Sequence, residues 1–260
     1  MQKPKLALQL YTLRDALAQN FSATLNRIAD MGITYVETAF FPEGVSNQSA
    51  AKAIRDAGLT VCSAHCEIPL ADEQAAVLEM VEGFDCDLVI WHGWPQDPDY
   101  STVDGVKRLA ERYNAASETC LSNGKRFGIH NHWWEFELHP AYEADTQRPY
   151  QSLAQEMDPA IFFEVDTYWV KTAGVNPVSV LKELSDRAPL IHVKDGPATQ
   201  DGDMVALGQG TMDFAAIDAV IDGQVDWMII ELDRCATDMF TAVATSRRYL
   251  LDHRFISTVE

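Results

Sequence analysis

Residues 161–169 read IFFEVDTYW. An apolar run ends on an acid and gives way to aromatic residues, as expected of a strand buried on both faces that surfaces at one end. Three further stretches behave the same way: FGIHNHWWEF at 127–136, LIHVKD at 190–195 and WMIIELD at 227–233. Each stops where a side chain able to bind metal or carry a proton appears, namely Glu135, Asp166, His192 and Glu231. Four successive strand ends of this kind place function at one edge of a parallel sheet.

Working outward, short apolar runs alternate with amphipathic stretches about eight times. The strand candidates are 6–10, 35–38, 60–64, 88–91, 127–132, 161–165, 190–193 and 227–232. Between them, 21–31 sets Leu25, Ile28 and Ala29 on one helical face before Gly32. The stretch 49–57 repeats the device with Ile54 and Gly58, glycine being suited to a left-handed helix end. Val106, Leu109, Ala110, Tyr113 and Ala116 form a longer stripe that ends near Gly124. Asn176-Pro177 and Asp213 mark the starts of the sixth and seventh helices. Eight βα units in 260 residues predict α/β architecture and one (β/α)8 barrel domain over 1–260. An open doubly wound sheet is the rival. It is disfavoured because no GxGxxG follows the first strand, and Gly208-Gln209-Gly210 alone is weak.

Composition removes several classes of function. Net charge is -19, which repels phosphate backbones and makes nucleic acid a poor partner. With 47 % hydrophobic and 23 % charged residues and no apolar run of about 18 residues, a membrane span is not expected. MQKPKLALQLYTLRD at the start has a short apolar stretch and no small-residue cleavage site, so it reads as a first strand. Five scattered cysteines without a CxxC pair read as reduced thiols. A cytoplasmic protein is the expectation, with a homo-oligomer left open.

Three carboxylates and an imidazole make an O/N donor set for Mn2+, Mg2+, Co2+ or Zn2+. Gathered in a barrel mouth, the three acids would repel one another unless a cation joined them. The alternative for any single one is a helix cap or an ion pair with Lys171 or Lys194. A divalent ion chelating a ketone and its neighbouring hydroxyl acidifies the C–H between them and stabilises an enediolate.

The segments QLYTLRD (9–15), HNHWWEF (130–136), EVDTYW (164–169), HVKD (192–195), GQGTMDF (208–214) and IELD (230–233) resemble the xylose-isomerase-like TIM-barrel superfamily, in its sugar phosphate isomerase/epimerase branch. HVKD and HNHxxEF are the most specific pieces, and the resemblance covers nearly the whole chain. It implies a divalent metal, manganese first among candidates, held by Glu135, Asp166, His192 and Glu231. It further implies isomerisation or epimerisation of a ketose or keto-sugar, with Glu135 and Glu231 as the acid/base pair. Relatives carry a Glu deeper in the fifth strand, where this chain has His130, so the fifth-strand ligand is Glu135 or His130.

Further polar strand-end residues are candidates for substrate binding: His65, His92, His130, His132, Trp169, Lys194 and Arg234, with Glu37 beside them. Each also has an ordinary structural reading as a core, loop or ion-pair residue. Trp91, Trp94, Trp133, Trp134 and Trp169 fall near strand ends, where aromatic faces suit a sugar ring. The loop 196–210 offers Asp201 and Asp203 rather than a cationic phosphate cradle, so an unphosphorylated sugar, cyclitol or glycoside is favoured. A lyase acting on an inosose or 3-keto-glycoside needs the same groups. A barrel that only binds sugar is the non-catalytic alternative.

Overall fold

The computed structural model describes residues 3–138 and 147–257; the expected domain, 1–260, extends beyond these. All eight strand candidates form strands: β1 Lys5–Gln9, β2 Tyr35–Thr38, β3 Thr60–Cys66, β4 Leu88–Trp91, β5 Arg126–His130, β6 Phe162–Asp166, β7 Leu190–Val193 and β8 Trp227–Ile230. Each pairs in parallel with its sequence neighbour, and β8 returns to β1, closing a (β/α)8 barrel. The helices are α1 Arg14–Gln19, α2 Phe21–Asp30, α3 Asn47–Asp56, α4 Gln74–Gly83, α5 Val103–Ser122, α6 Pro149–Glu156, α7 Thr167–Thr172, α8 Pro177–Leu184, α9 Phe214–Ile221 and α10 Met239–Asp252.

Local chemistry sets the helix ends. Asn176 accepts from the Val178 amide at 2.9 Å and Asp213 from the Ala216 amide at 3.0 Å, so both expected starts are side-chain caps, of α8 and α9. Gly32 and Gly58 follow α2 and α3 with φ of +79° and +75°, a conformation that costs a side-chain-bearing residue more. The expected α5 stripe faces inward, with Val106, Leu109, Ala110, Tyr113 and Ala116 all buried. Among the described residues, no helix is long and apolar enough to cross a membrane.

Residues two apart along a strand share a face, so alternate positions line the barrel. Its lower interior is an apolar plug of Ala7, Cys62, Ile90, Phe162, Leu190 and Ile229. Two residues further along several of these strands the lining turns polar: Gln9, Glu164, His192 and Glu231. A register shift between β2 and β3 after Val36 lets Cys62 join the plug while Ser63 reaches the Glu37 carboxylate at 2.5 Å. On β5 the plug position belongs to Gly128, and a Cβ there would stand 2.2 Å from Phe162 Cε2. Gly128→Ala is therefore expected to overpack the plug and cost about 2 kcal/mol, read as a lower urea midpoint at unchanged slope. An unchanged midpoint would show that Phe162 can move aside.

Candidate active site

The same alternation brings the polar residues together above the plug. On β6, Phe162 is followed on its face by Glu164 and Asp166; on β7, Leu190 by His192 and, one residue past the strand, Lys194; past the end of β8, Ile229 by Glu231 and Asp233. Register pairs Asp166 with His192 and His130 with Glu164.

An upper cluster consists of His130, Asp166, His192 and Glu231, whose ligand atoms lie within 4.8 Å of one another. His192 Nδ1 is 2.7 Å from Glu231 Oε2 and 4.0 Å from Asp166 Oδ2, and His130 Nε2 is 3.6 Å from that same Asp166 oxygen. Asp166 spends Oδ1 on capping α7, accepting from the Tyr168 and Trp169 amides at 3.0 and 2.9 Å. Both ring nitrogens of His130 are buried and accept or donate no hydrogen bond among the described residues. Lys194 reaches in with Nζ at 3.0 Å from Asp166, 2.8 Å from Glu231 and 2.7 Å from Asp233. Buried polar atoms without partners are costly, and a mixed carboxylate and imidazole set this compact fits a divalent ion such as Mn2+, Co2+ or Zn2+.

Below it lies a second layer. His192 Nε2 is 2.6 Å from Glu37 Oε1 and 3.2 Å from Glu164 Oε2, and His65 Nε2 is 2.5 Å from that Glu164 oxygen. Gln9 donates to Glu37 at 2.8 Å. Burial, with the Glu164 charge beside it, pushes the Glu37 carboxyl up to about 7. Burial alone would lower His192, but Glu164, Glu231 and Glu37 around it outweigh that and raise it well above the usual imidazole range. For Glu231 the burial penalty is likewise outweighed, and Lys194 and His192 hold it well below the carboxylate range.

The site opens into a cavity of about 370 Å³. His65, His92, His130, His132, Trp169, Lys194, Glu231 and Arg234 all border it. Of the five strand-end tryptophans, Trp94, Trp133 and Trp169 line the cavity. Trp134 is buried behind them, stacked on His132 at 4.3 Å between ring centroids, and Trp91 packs on the core. His92 is pushed down to about 4, chiefly by burial.

Glu135 is not brought to the cluster. It sits on a turn of 3-10 helix after β5, 2 % exposed, and accepts from the His132 amide at 2.9 Å. The chain leaves the strand at His130, so five more residues carry Glu135 out of the barrel lining, and His130 occupies the fifth-strand position instead. Burial pushes the Glu135 carboxyl up to about 8 from an ordinary 4.5. The neutral acid is thus favoured in the fold, and its contribution to stability is complete below pH 4.5 and lost as pH rises through 8. Glu135→Gln keeps the acceptor for His132 without the charge. It is expected to flatten the pH dependence of stability and to gain up to about 5 kcal/mol over wild type above that range, measured by urea denaturation across pH. Parallel curves for the two proteins would show that Glu135 is ionised without penalty.

Sequence reasoning passed over Glu164 and Asp233 and offered Glu37 only as a candidate for substrate binding. Glu164 is 0 % exposed. Its signal was the i, i+2 spacing to Asp166 on one strand, which puts both carboxylates on the barrel face.

No curated protein matches the chain in sequence. Among solved structures, a sugar phosphate isomerase/epimerase from Parabacteroides distasonis superposes with a TM-score of 0.82 at 23 % identity, covering 98 % of this chain and 100 % of that one. An L-ribulose 3-epimerase gives 0.69 at 18 % identity, over 96 % and 93 % of the two chains. The IOLI protein, solved with a bound zinc atom, gives 0.71 at 15 % identity, over 98 % and 100 %. At these identities the likeness is one of fold. The model of the xylose isomerase-like TIM barrel matches residues 25–252, and the chain belongs to that family.

Proposed function

We propose that the protein is a divalent-metal-dependent isomerase or epimerase of a ketose or keto-sugar. The observation that carries this reading is the buried His130, Asp166, His192 and Glu231 cluster at the floor of a tryptophan-lined cavity. His130 takes the place first assigned to Glu135 among the ligands. A bound divalent ion supplies the positive charge that polarises a carbonyl and its neighbouring hydroxyl.

The chain's own groups do the rest. Glu231, kept ionised by Lys194 and His192, is the proton carrier on one face. Lys194 donates hydrogen bonds toward negative charge developing on the substrate oxygens. His132 also lines the cavity, held neutral chiefly by burial and with Nδ1 unpartnered among the described residues. It is the second proton carrier in this reading, and Glu135, bound to its backbone amide, positions it. Trp133 and Trp169, 5.0 Å apart between ring centroids, offer faces to the sugar's C–H groups.

A lyase remains the second reading. Asp233 stands 2.7 Å from the same Lys194 ammonium that contacts Glu231, and this carboxyl and ammonium are the groups that would pass a proton to a departing hydroxyl. Incubating keto-sugars with metal-loaded protein in D2O separates the two. Deuterium entering recovered sugar without loss of water supports the isomerase or epimerase, whereas an unsaturated or deoxy product supports the lyase. No exchange with any metal after chelator treatment would leave a binding barrel.

A further inference from the structure

Beneath the upper cluster, Glu37 Oε1 from β2, His65 Nε2 from β3, Glu164 Oε2 from β6 and His192 Nε2 from β7 converge within 4.8 Å of one another. Their side chains are 0 to 8 % exposed. Around the quartet the neighbouring contacts are 2.5 Å (His65 to Glu164), 3.2 Å (Glu164 to His192), 2.6 Å (His192 to Glu37) and 3.3 Å (Glu37 to His65). We propose that this lower quartet is a second divalent-cation position, with a preference for zinc or cobalt, lying directly under the first.

Three observations carry it. Donors about 2.1 Å from a tetrahedral ion stand about 3.4 Å apart; two of the four contacts already have nearly that spacing, and the two shorter ones need open by less than 1 Å. Glu164 is 0 % exposed, yet its Oε1 finds no hydrogen-bond partner among the described residues, although a second carboxylate stands beside it. Lys194 pairs with Asp166, Glu231 and Asp233 of the upper layer, so the two lower carboxylates have imidazoles alone for compensation. Gln9 and Ser63 already hold Glu37 in place, the kind of outer support that orients a metal ligand.

Two carboxylates and two imidazoles in a closed, buried setting suit a structural zinc-type site better than magnesium or calcium. Filling it displaces the protons now shared along the His65 to Glu164 and His192 to Glu37 contacts, and these leave to solvent. With both positions occupied, His192 would turn Nδ1 to the upper ion and Nε2 to the lower, and the proton now shared between Nδ1 and Glu231 would also leave to solvent. The inference rests on the proposed upper site through that shared residue alone.

The test is stoichiometry. Wild-type protein stripped with chelator, titrated with Zn2+ or Co2+ and desalted, is expected to retain two equivalents by elemental analysis. His65→Gln/Glu164→Gln and Asp166→Asn/Glu231→Gln are each expected to retain one. Anomalous scattering from a wild-type crystal grown with Zn2+ should show two peaks, a readout that needs no variant to fold. One wild-type equivalent, kept by the lower pair and lost by the upper pair, overturns the lower position and leaves the proposed function standing. One equivalent lost by the lower pair alone supports the lower position and overturns the upper ion. A single equivalent lost by both pairs shows one ion spanning the cluster and overturns a separate second site, and no binding overturns both readings.

Discussion

Glu231→Gln is expected to lower turnover about a thousandfold while leaving the fold intact. The substitution is isosteric and keeps an oxygen toward Lys194 Nζ, 2.8 Å away, and His192 Nδ1, 2.7 Å away. It removes the charge that makes Glu231 a proton acceptor, and a positioned general base is worth about two to four orders of magnitude. Because Gln is also a poorer ligand, exchange of substrate hydrogen with D2O is to be measured at saturating metal, with metal content determined on the same sample. A variant that carries metal and exchanges at near-normal rates would remove Glu231 from the proton transfer. A variant rescued by higher metal concentration would assign it to binding.

Lys194→Met is expected to destabilise the metal-free protein by about 3 to 5 kcal/mol. Lys194 is 1 % exposed and pairs with Asp166, Glu231 and Asp233 at 3.0, 2.8 and 2.7 Å. Methionine fills the stem's volume but leaves these acids without their ammonium partner, and an unpaired buried charge costs far more than the pair contributes. A divalent ion in the upper cluster replaces the lost charge, so added metal should raise the melting temperature more in the variant than in wild type. Denaturant midpoints in chelator and in excess Mn2+ or Zn2+ read both effects. An equal loss with and without metal would show that no ion enters the cluster and would weaken the proposed function with it.

Much of this site was legible before the fold was known. Asp166, His192 and Glu231 each close an apolar run, and strand periodicity suffices to aim such residues at the barrel mouth. The eight strands were legible for the same reason. The place of Glu135 outside the cluster was not legible because HNHWWEF looks continuous in sequence, whereas the strand stops at His130 and a turn of 3-10 helix begins at Trp134. Glu164 was overlooked because an acid inside a hydrophobic run reads as an interruption, although its spacing from Asp166 places it on the lining.

Local pattern thus settled the alternation of strand and helix, the capping residues Asn176 and Asp213, and the polar end of the barrel, because each depends on neighbours a few residues away. Which atoms meet was settled by closure. Glu37 and His192 are 155 positions apart in sequence, and strand tilt and stagger around the ring bring them to 2.6 Å. The same closure excludes water from acids on β2, β6 and the end of β8 at once. The charge state of Glu37, the ion pairs of Lys194 and the lower quartet therefore follow from packing at a distance rather than from any motif.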